Sequence, residues 1–310
     1  MSGPVAVIDI GSNSIKVLVA VRGADGSVLP LHVRSLDTRI SAGLSQAEPR
    51  LGEEGMARGL EAIRTLLADA NRFSAEKIVL VATSAVRDAR NGADFRARVQ
   101  AATGHAIRIL TGEEEANLIG RGLTCDPALR GLRDFYVFDL GGGSLECLAF
   151  RDRCIAQAAS LQLGCVRLTE KFVADPTMPL TPAARAAIAT HTRAELTRVG
   201  FRLTPTAEAI GTGGTVATAR AILGARQGLS LGQTDPLISL AQMREMLAWL
   251  GALPLAERQR IPGLPAARAD VFPTALVTFI AVAELGGFSS FRNSLYNLRY
   301  GLADATLGDS

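Results

Sequence analysis

The sequence predicts an α/β protein built from two copies of one domain, with a cleft between the copies. Two repeated segments and a strand–helix alternation between them carry the prediction. Val5–Ala20 reads VAVIDIGSNSIKVLVA and Phe135–Phe150 reads FYVFDLGGGSLECLAF. At an offset of 130, Asp9 falls on Asp139, Gly11 on Gly141, Ser14 on Ser144 and Leu18 on Leu148. Further on, LVATSAV at 80–86 matches AIGTGGT at 209–215 at an offset of 129, with Val81 on Ile210 and Thr83 on Thr212. One short Asp-Gly-Ser match is easily accidental. Two at nearly one offset indicate duplication of a whole domain.

Each first segment is an apolar run, a glycine-containing turn and a second apolar run, so each predicts strand, tight turn, strand. In the first copy Glu53–Phe73 follows as a helix, since Met56, Leu60, Ile63, Leu66 and Leu67 recur at helical spacing. Lys77–Ala82 reads as a strand, Ala93–Ala102 as a helix, Ala106–Leu110 as a strand and Glu113–Leu123 as a helix. Pro127 and Gly131 punctuate Thr124–Arg133, the expected hinge. The expected domains are 1–126 and 127–310, with a C-terminal segment of about 300–310 able to pack back on the first. In the second copy Thr181-Pro182 is a cap and first-turn signal for a helix over Pro182–Val199. Ala207–Ile210 is a strand, and Thr215–Leu223, Ser239–Leu250 and Ala266–Leu285 are helices. Gly200–Pro205 and Gly224–Pro236 read as surface loops.

Length and composition narrow the classes. A chain of 310 residues exceeds what one core usually fills, and 48% hydrophobic with 20% charged residues is ordinary for a globular protein. A net charge of +3 argues against a dedicated nucleic-acid binder. Cys125, Cys147, Cys154 and Cys165 form no CxxC pair, so they read as free thiols of a reducing compartment. The N-terminus has no signal-peptide pattern and no apolar run reaches a membrane span, which makes the cytoplasm the expected location and a membrane partner unexpected.

The glycine turns are the candidate chemistry. Asp9-Ile-Gly11-Ser12-Asn13-Ser14 and Asp139-Leu-Gly141-Gly142-Gly143-Ser144 each follow a strand. Glycine lets the backbone turn tightly and aim several N–H groups at one anion. The serine hydroxyls add donors, and Asp9 and Asp139 can orient water or Mg²⁺ around a phosphate. Gly213, Gly214 and Thr215 open a helix, a third place for an anion. Neither nucleotide fingerprint fits. GxxxxGK[ST] is absent, and GxGxxG fails at Glu146 and Val216. Any one of these runs could be an ordinary turn; three, repeated by duplication, point to phosphate. Glu113-Glu114-Glu115 opens a helix, where acidic residues suit the dipole with no further role. Water activation at a phosphate would need a carboxylate base, however, and His32, His105 and His191 share no motif. Arg87 follows the Thr83-Ser84 turn, where its planar fork suits phosphate oxygens.

The chain resembles the exopolyphosphatase/guanosine pentaphosphatase (Ppx/GppA) family of the actin-like ATPase superfamily. The resemblance lies in DIGSNS at 9–14, TSAVRDARN at 83–91, TGEEEA at 111–116 and FDLGGGSLE at 138–146. It continues in SLQLGCVRLTEKF at 160–172, GTGGT at 211–215 and IPGLPAARADVFP at 261–273, and so covers almost the whole chain. It implies two ribonuclease H-like domains and release of the terminal phosphate of polyphosphate, or of the 5′-γ-phosphate of guanosine pentaphosphate (pppGpp), with Mg²⁺ or Mn²⁺. It also implies Glu115 as the base, with Glu114 as the neighbouring register, and Asp139 and Glu146 as carboxylates placing metal and water. Arg87 and the backbone of Gly141–Ser144 would contact phosphate, and a homodimer is an expected assembly. The chain looks like the short two-domain form. Pro273–Leu276 (PTAL) lacks a family glycine, and Tyr300 stands where the family has an acid. Two other readings stay open: an actin-fold kinase, and a non-catalytic sensor of polyphosphate or alarmone.

Overall fold

A computed structural model describes residues 3–42, 48–204 and 207–308. Of the loop expected at Gly200–Pro205, position 205 lies outside the described residues, as do 309 and 310 of the C-terminal segment. The chain divides into two compact units, Met1–Gly131 with Tyr296–Ser310, and Leu132–Leu295.

The first unit holds strands β1 (Val5–Ile10), β2 (Ser14–Arg22), β3 (Val28–Asp37), β4 (Lys77–Ala82) and β5 (Ile107–Ile109), in the order β3-β2-β1-β4-β5. β1, β2 and β3 are antiparallel neighbours, whereas β4 and β5 run parallel to β1. The second unit holds β6 (Phe135–Leu140), β7 (Leu145–Arg151), β8 (Cys154–Leu161), β9 (Glu208–Thr212), β10 (Leu237–Ser239) and β11 (Ser290–Asn293). Its order, β10-β11-β9-β6-β7-β8, is the first sheet again with β10 added at one edge. The repeat reaches single residues. β1 pairs with β2 as Asp9 to Lys16, and β6 pairs with β7 as Asp139 to Glu146. The register of β3 slips opposite Val19/Ala20, and that of β8 slips opposite Ala149/Phe150, at the same offset of 130. A bulge is a feature of local geometry, so its repetition marks one domain used twice.

Helices cover the sheets where their apolar stripes dictate. In the first unit α1 (Glu53–Arg72) turns Met56, Ile63, Leu66 and Leu67 onto Ile8, Ile10, Val17 and Val19. α2 (Ser84–Asp88) and α3 (Gly92–Thr103) complete that face, the latter through Phe95 and Val99. α4 (Gly112–Thr124) is begun by a capping box and packs on the C-terminal helix. There a Cβ at Gly122 would lie 2.0 Å from the Asn297 carbonyl oxygen, so the two backbones meet through glycine.

In the second unit α5 (Cys165–Phe172), α6 (Pro182–Arg198), α7 (Gly213–Arg226), α8 (Leu240–Gly251), the short α9 (Leu255–Arg258) and α10 (Phe272–Gly286) surround a core that includes Tyr136, Phe138, Phe279 and Phe291. Thr181 caps α6 by accepting the Ala184 N–H at 3.2 Å, with Pro182 in its first turn. The helix expected over Ala266–Leu285 is a single 3₁₀ turn at Ala266–Arg268, then α10 from Phe272. Pro273 accounts for the break, because proline is tolerated only in a first turn. The last helix, α11 (Leu298–Gly308), returns to the first unit, where Arg121 Nε donates to Asp304 Oδ2 at 2.7 Å.

Candidate functional site

The two glycine turns have one construction. In the β1–β2 turn Gly11 N–H donates to Ser14 O at 3.2 Å, and in the β6–β7 turn Gly141 N–H donates to Ser144 O at 3.0 Å. The turn carbonyls are held from one side. Ser12 O accepts from Ser41 N–H at 3.2 Å, and Asn13 O accepts from the N–H groups of Thr38 and Arg39 at 3.0 and 2.9 Å. In the second unit Gly141 O accepts from Cys165 N–H, and Gly142 O from Val166 and Arg167 N–H, at 3.0 to 3.2 Å. Gly143 O accepts from Arg167 Nε at 3.0 Å. In a planar trans peptide the C=O of one residue and the N–H of the next point opposite ways. The N–H groups of Asn13 and Ser14, and of Gly142, Gly143 and Ser144, are therefore turned away from those clamps. Successive N–H groups on one side of a turn make an anion nest. The second clamp requires Gly164, where a Cβ would come 2.2 Å from Gly142 O.

In the first unit Ser12 Oγ lies 3.1 Å from Ser84 Oγ, joining the turn to the start of α2. Three residues on, Arg87 Nη1 donates to Glu115 Oε2 and to Leu110 O, both at 3.0 Å, and its Nε to Asp88 Oδ1 at 3.3 Å. The three glutamates thereby separate. Glu114 accepts the Thr111 N–H at 2.8 Å and the Arg108 guanidinium, completing the capping box at the surface. Glu115, one residue on, turns inward and is 6% exposed. Asp9 lies opposite Lys16. Burial pushes its carboxyl above the usual range, against the opposing pull of Lys16 and Arg299.

In the second unit Asp139 and Glu146 are direct cross-strand partners, so their side chains share one face of the sheet. Glu146 is 2% exposed and accepts from Ser160 Oγ at 2.9 Å. Gly213 opens α7 with φ +80°, and a Cβ there would lie 2.1 Å from Asp139 Oδ1. Thr215 Oγ1 donates to Leu140 O at 3.4 Å, which ties the α7 start to the β6 end. Beside Gly214 sits the Arg268 guanidinium, on the 3₁₀ turn before α10.

The structure therefore gathers Asp9, Gly11, Ser12, Asn13, Ser14, Arg87 and Glu115 in one unit, and Asp139, Gly141–Ser144, Glu146 and Gly213–Thr215 in the other. Lys16, Ser160, Arg268 and Arg299 were not foreseen. The offset of 130 that aligned the loops already set Lys16 on Glu146, and Arg268 lay inside IPGLPAARADVFP.

The repeated strand order and the duplicated glycine turns define an α/β protein of two like units. The model of the Ppx/GppA phosphatase family matches residues 18–309, and the chain belongs to that family. It is 29% identical over 305 residues to the guanosine-5'-triphosphate,3'-diphosphate pyrophosphatase of Aeromonas hydrophila, covering 98% of this chain and 60% of that protein. It thus spans 60% of the length of that curated relative. Among solved structures it is similar to an exopolyphosphatase from Cytophaga hutchinsonii, with a TM-score of 0.88, 23% identity, and coverage of 99% and 98% of the two chains. The Ppx/GppA enzyme of Aquifex aeolicus has a TM-score of 0.78 at 25% identity, covering 98% and 99%. No helix among the described residues is long and apolar enough to cross a membrane.

Proposed function

We propose that this chain hydrolyses the terminal phosphate of inorganic polyphosphate, with Glu115 as the base that takes a proton from the attacking water. The observation that carries this is the division of labour in TGEEEA. Glu114 completes a helix cap, whereas Glu115 is buried on Arg87 with its carboxylate held in one direction. A helix start needs acidic residues only at its surface. A buried, oriented carboxylate beside an arginine fork has the parts for general-base attack on phosphorus.

The remaining roles follow from the turns. The N–H groups of Asn13 and Ser14 and of Gly142–Ser144 would bind phosphate oxygens, helped by Ser12, the α7 start at Gly213–Thr215 and Arg268. Arg87 would hold the terminal phosphate and keep Glu115 in place.

A divalent ion fits the second unit and not the first. Asp139 and Glu146 present two carboxylates on one face, which suits Mg²⁺ or Mn²⁺ bound through few protein ligands plus substrate phosphates. At the equivalent place in the first unit Lys16 faces Asp9. Among the described residues no cluster of three or more acidic, histidine or cysteine ligands occurs, so a cage made by protein alone is not the arrangement. When bound, such an ion neutralises phosphate charge; Asp139 and Glu146 would hold it, with Ser160 fixing the Glu146 carboxylate.

The second reading is pppGpp as substrate, favoured by the 29% identity to a pyrophosphatase of that nucleotide over 98% of this chain. Phosphate release from short polyphosphate, long polyphosphate and pppGpp, each with and without excess chelator, tests both. Release from polyphosphate at the higher kcat/KM supports the first reading and a preference for pppGpp the second. Full activity in chelator removes the metal, and no release from any of the three removes the hydrolase.

A further inference from the structure

We infer that Arg39 is a further substrate-gripping residue of the β1–β2 turn, its guanidinium held against Asn13 to take oxygens of a bound polyphosphate. The inference rests on the phosphohydrolase reading. Arg39 has φ of 43°, in the left-handed region that glycine occupies easily and other residues do not. What holds the backbone there is visible. The Thr38 and Arg39 N–H groups donate to Asn13 O, Ala42 N–H donates to Arg39 O at 3.3 Å, and Arg58 Nε on α1 donates to Thr38 O at 3.1 Å. Ile40, 1% exposed, seats where α1 carries glycine; a Cβ on Gly59 would lie 3.0 Å from its Cγ2.

Glycine at position 39 would make every one of those backbone bonds without strain. Those backbone bonds therefore do not depend on the arginine side chain, which is accepted there at a conformational cost. That side chain reaches back to the anion turn: Arg39 Nε donates to Asn13 Oδ1 at 3.3 Å. A planar cation is thus anchored on the residue whose N–H faces the nest, the chemistry that binds phosphate through a fork of donors. Strained residues persist where the surroundings hold them, and they collect at binding sites.

Arg153 supplies the control. It is also left-handed, with φ of 63°, but lies in the β7–β8 hairpin and donates to Leu132 O at 2.9 Å. The experiment compares Arg39→Gly, Arg39→Lys and Arg153→Gly in the full chain. It measures KM and kcat on tripolyphosphate, melting temperature, and tripolyphosphate binding by calorimetry. Arg39→Gly should raise KM by about tenfold or more, with a smaller change in kcat and a melting temperature equal to wild type or higher. Arg39→Lys should fall between, and Arg153→Gly should keep the wild-type KM. A wild-type KM in Arg39→Gly overturns the proposal, as does weaker binding accompanied by a melting temperature several degrees lower. If the wild-type chain releases no phosphate from any substrate, the hydrolase reading fails and calorimetry alone judges Arg39. Affinity about tenfold weaker in Arg39→Gly then supports it; equal affinity, or no binding by wild type, overturns it.

Discussion

Replacing Glu115 and Glu114 by glutamine, one at a time, separates a base from a cap. Glu115→Gln keeps an oxygen that can accept from Arg87 Nη1, now 3.0 Å away, but removes the basic carboxylate. Turnover should fall by about 10²- to 10⁴-fold, the usual contribution of a positioned base. Hydrogen bonds to charged groups contribute about 1.5–3 kcal/mol, and the neutral amide keeps part of that. The Arg87 side chain is 23% exposed, so solvent screening lowers the stability cost to roughly 1 kcal/mol. A change of that size shifts the melting temperature by about 2–4 °C in a domain of 150–250 residues, far too little to explain an inactive enzyme. Glu114→Gln leaves the capping box intact in kind, since glutamine serves in that position as glutamate does. It loses only the ion pair with Arg108, whose side chains are 55% and 40% exposed, at a cost of about 0.2–1 kcal/mol. The assay is steady-state phosphate release at saturating tripolyphosphate, with binding by calorimetry on the same preparations. Glu115→Gln should bind substrate as well as wild type or better, because one negative charge has left the proposed phosphate site. An inactive Glu114→Gln beside an active Glu115→Gln refutes the register, and two active variants refute a base at either position.

Burial raises the Asp9 carboxyl, so the native state favours its protonated form; that stabilisation is full below the unfolded pKa and is lost as pH rises through the raised folded value. Asp9→Asn should therefore melt higher than wild type at pH 7, with the difference vanishing towards pH ~4, and should lose activity; an equal or lower melting temperature at pH 7 counts against the assignment. Gly213→Ala must place a Cβ 2.1 Å from Asp139 Oδ1 at φ +80°, so it should cost at least about 1–2 kcal/mol by thermal denaturation and impair phosphate release. Asp139→Asn should raise the Mg²⁺ concentration for half-maximal activity, whereas an unchanged metal titration removes Asp139 from the ion. Burial lifts the Cys125 thiol to about 11 and the Cys147 thiol well above its ordinary value, while Cys154 is exposed. Iodoacetamide at pH 8 should then alkylate Cys154 well before either, as peptide mass mapping would show.

The duplication was legible because it is written in local chemistry. An aspartate, a turn glycine and a serine at fixed spacing between apolar runs need no knowledge of the distant chain. α1 was legible for the same reason, since its apolar residues recur at helical spacing. What escaped was set by tertiary packing. β3 exposes Leu29, Leu31 and Val33 at the sheet edge and carries Pro30, so it shows neither clean alternation nor freedom from breakers. β11 is only Ser290–Asn293, too short to leave a periodic mark. The break before α10 is marked in the sequence by Pro273, with Arg268 and Asp270 ahead of it and an apolar run only after it.

The site shows the same division. Asp139 and Glu146 lie seven residues apart, and the hairpin register places them side by side. The pairing of Arg87 with Glu115 spans 28 positions and exists because β4 and β5 are parallel neighbours. Each strand leads directly to one partner, β4 into α2 and Arg87, β5 into α4 and Glu115. The parallel alignment delivers both side chains to one end of the sheet, where an α/β fold places its ligands. Duplication supplied two such sheet ends with matching glycine turns, and the residue opposite the aspartate distinguishes them. Lys16 opposite Asp9 gives the first turn a cation, whereas Glu146 opposite Asp139 gives the second a second carboxylate. A cation beside one nest and an acidic pair beside the other cannot favour the same species. The first suits phosphate oxygen directly, and the second suits phosphate only together with a divalent ion.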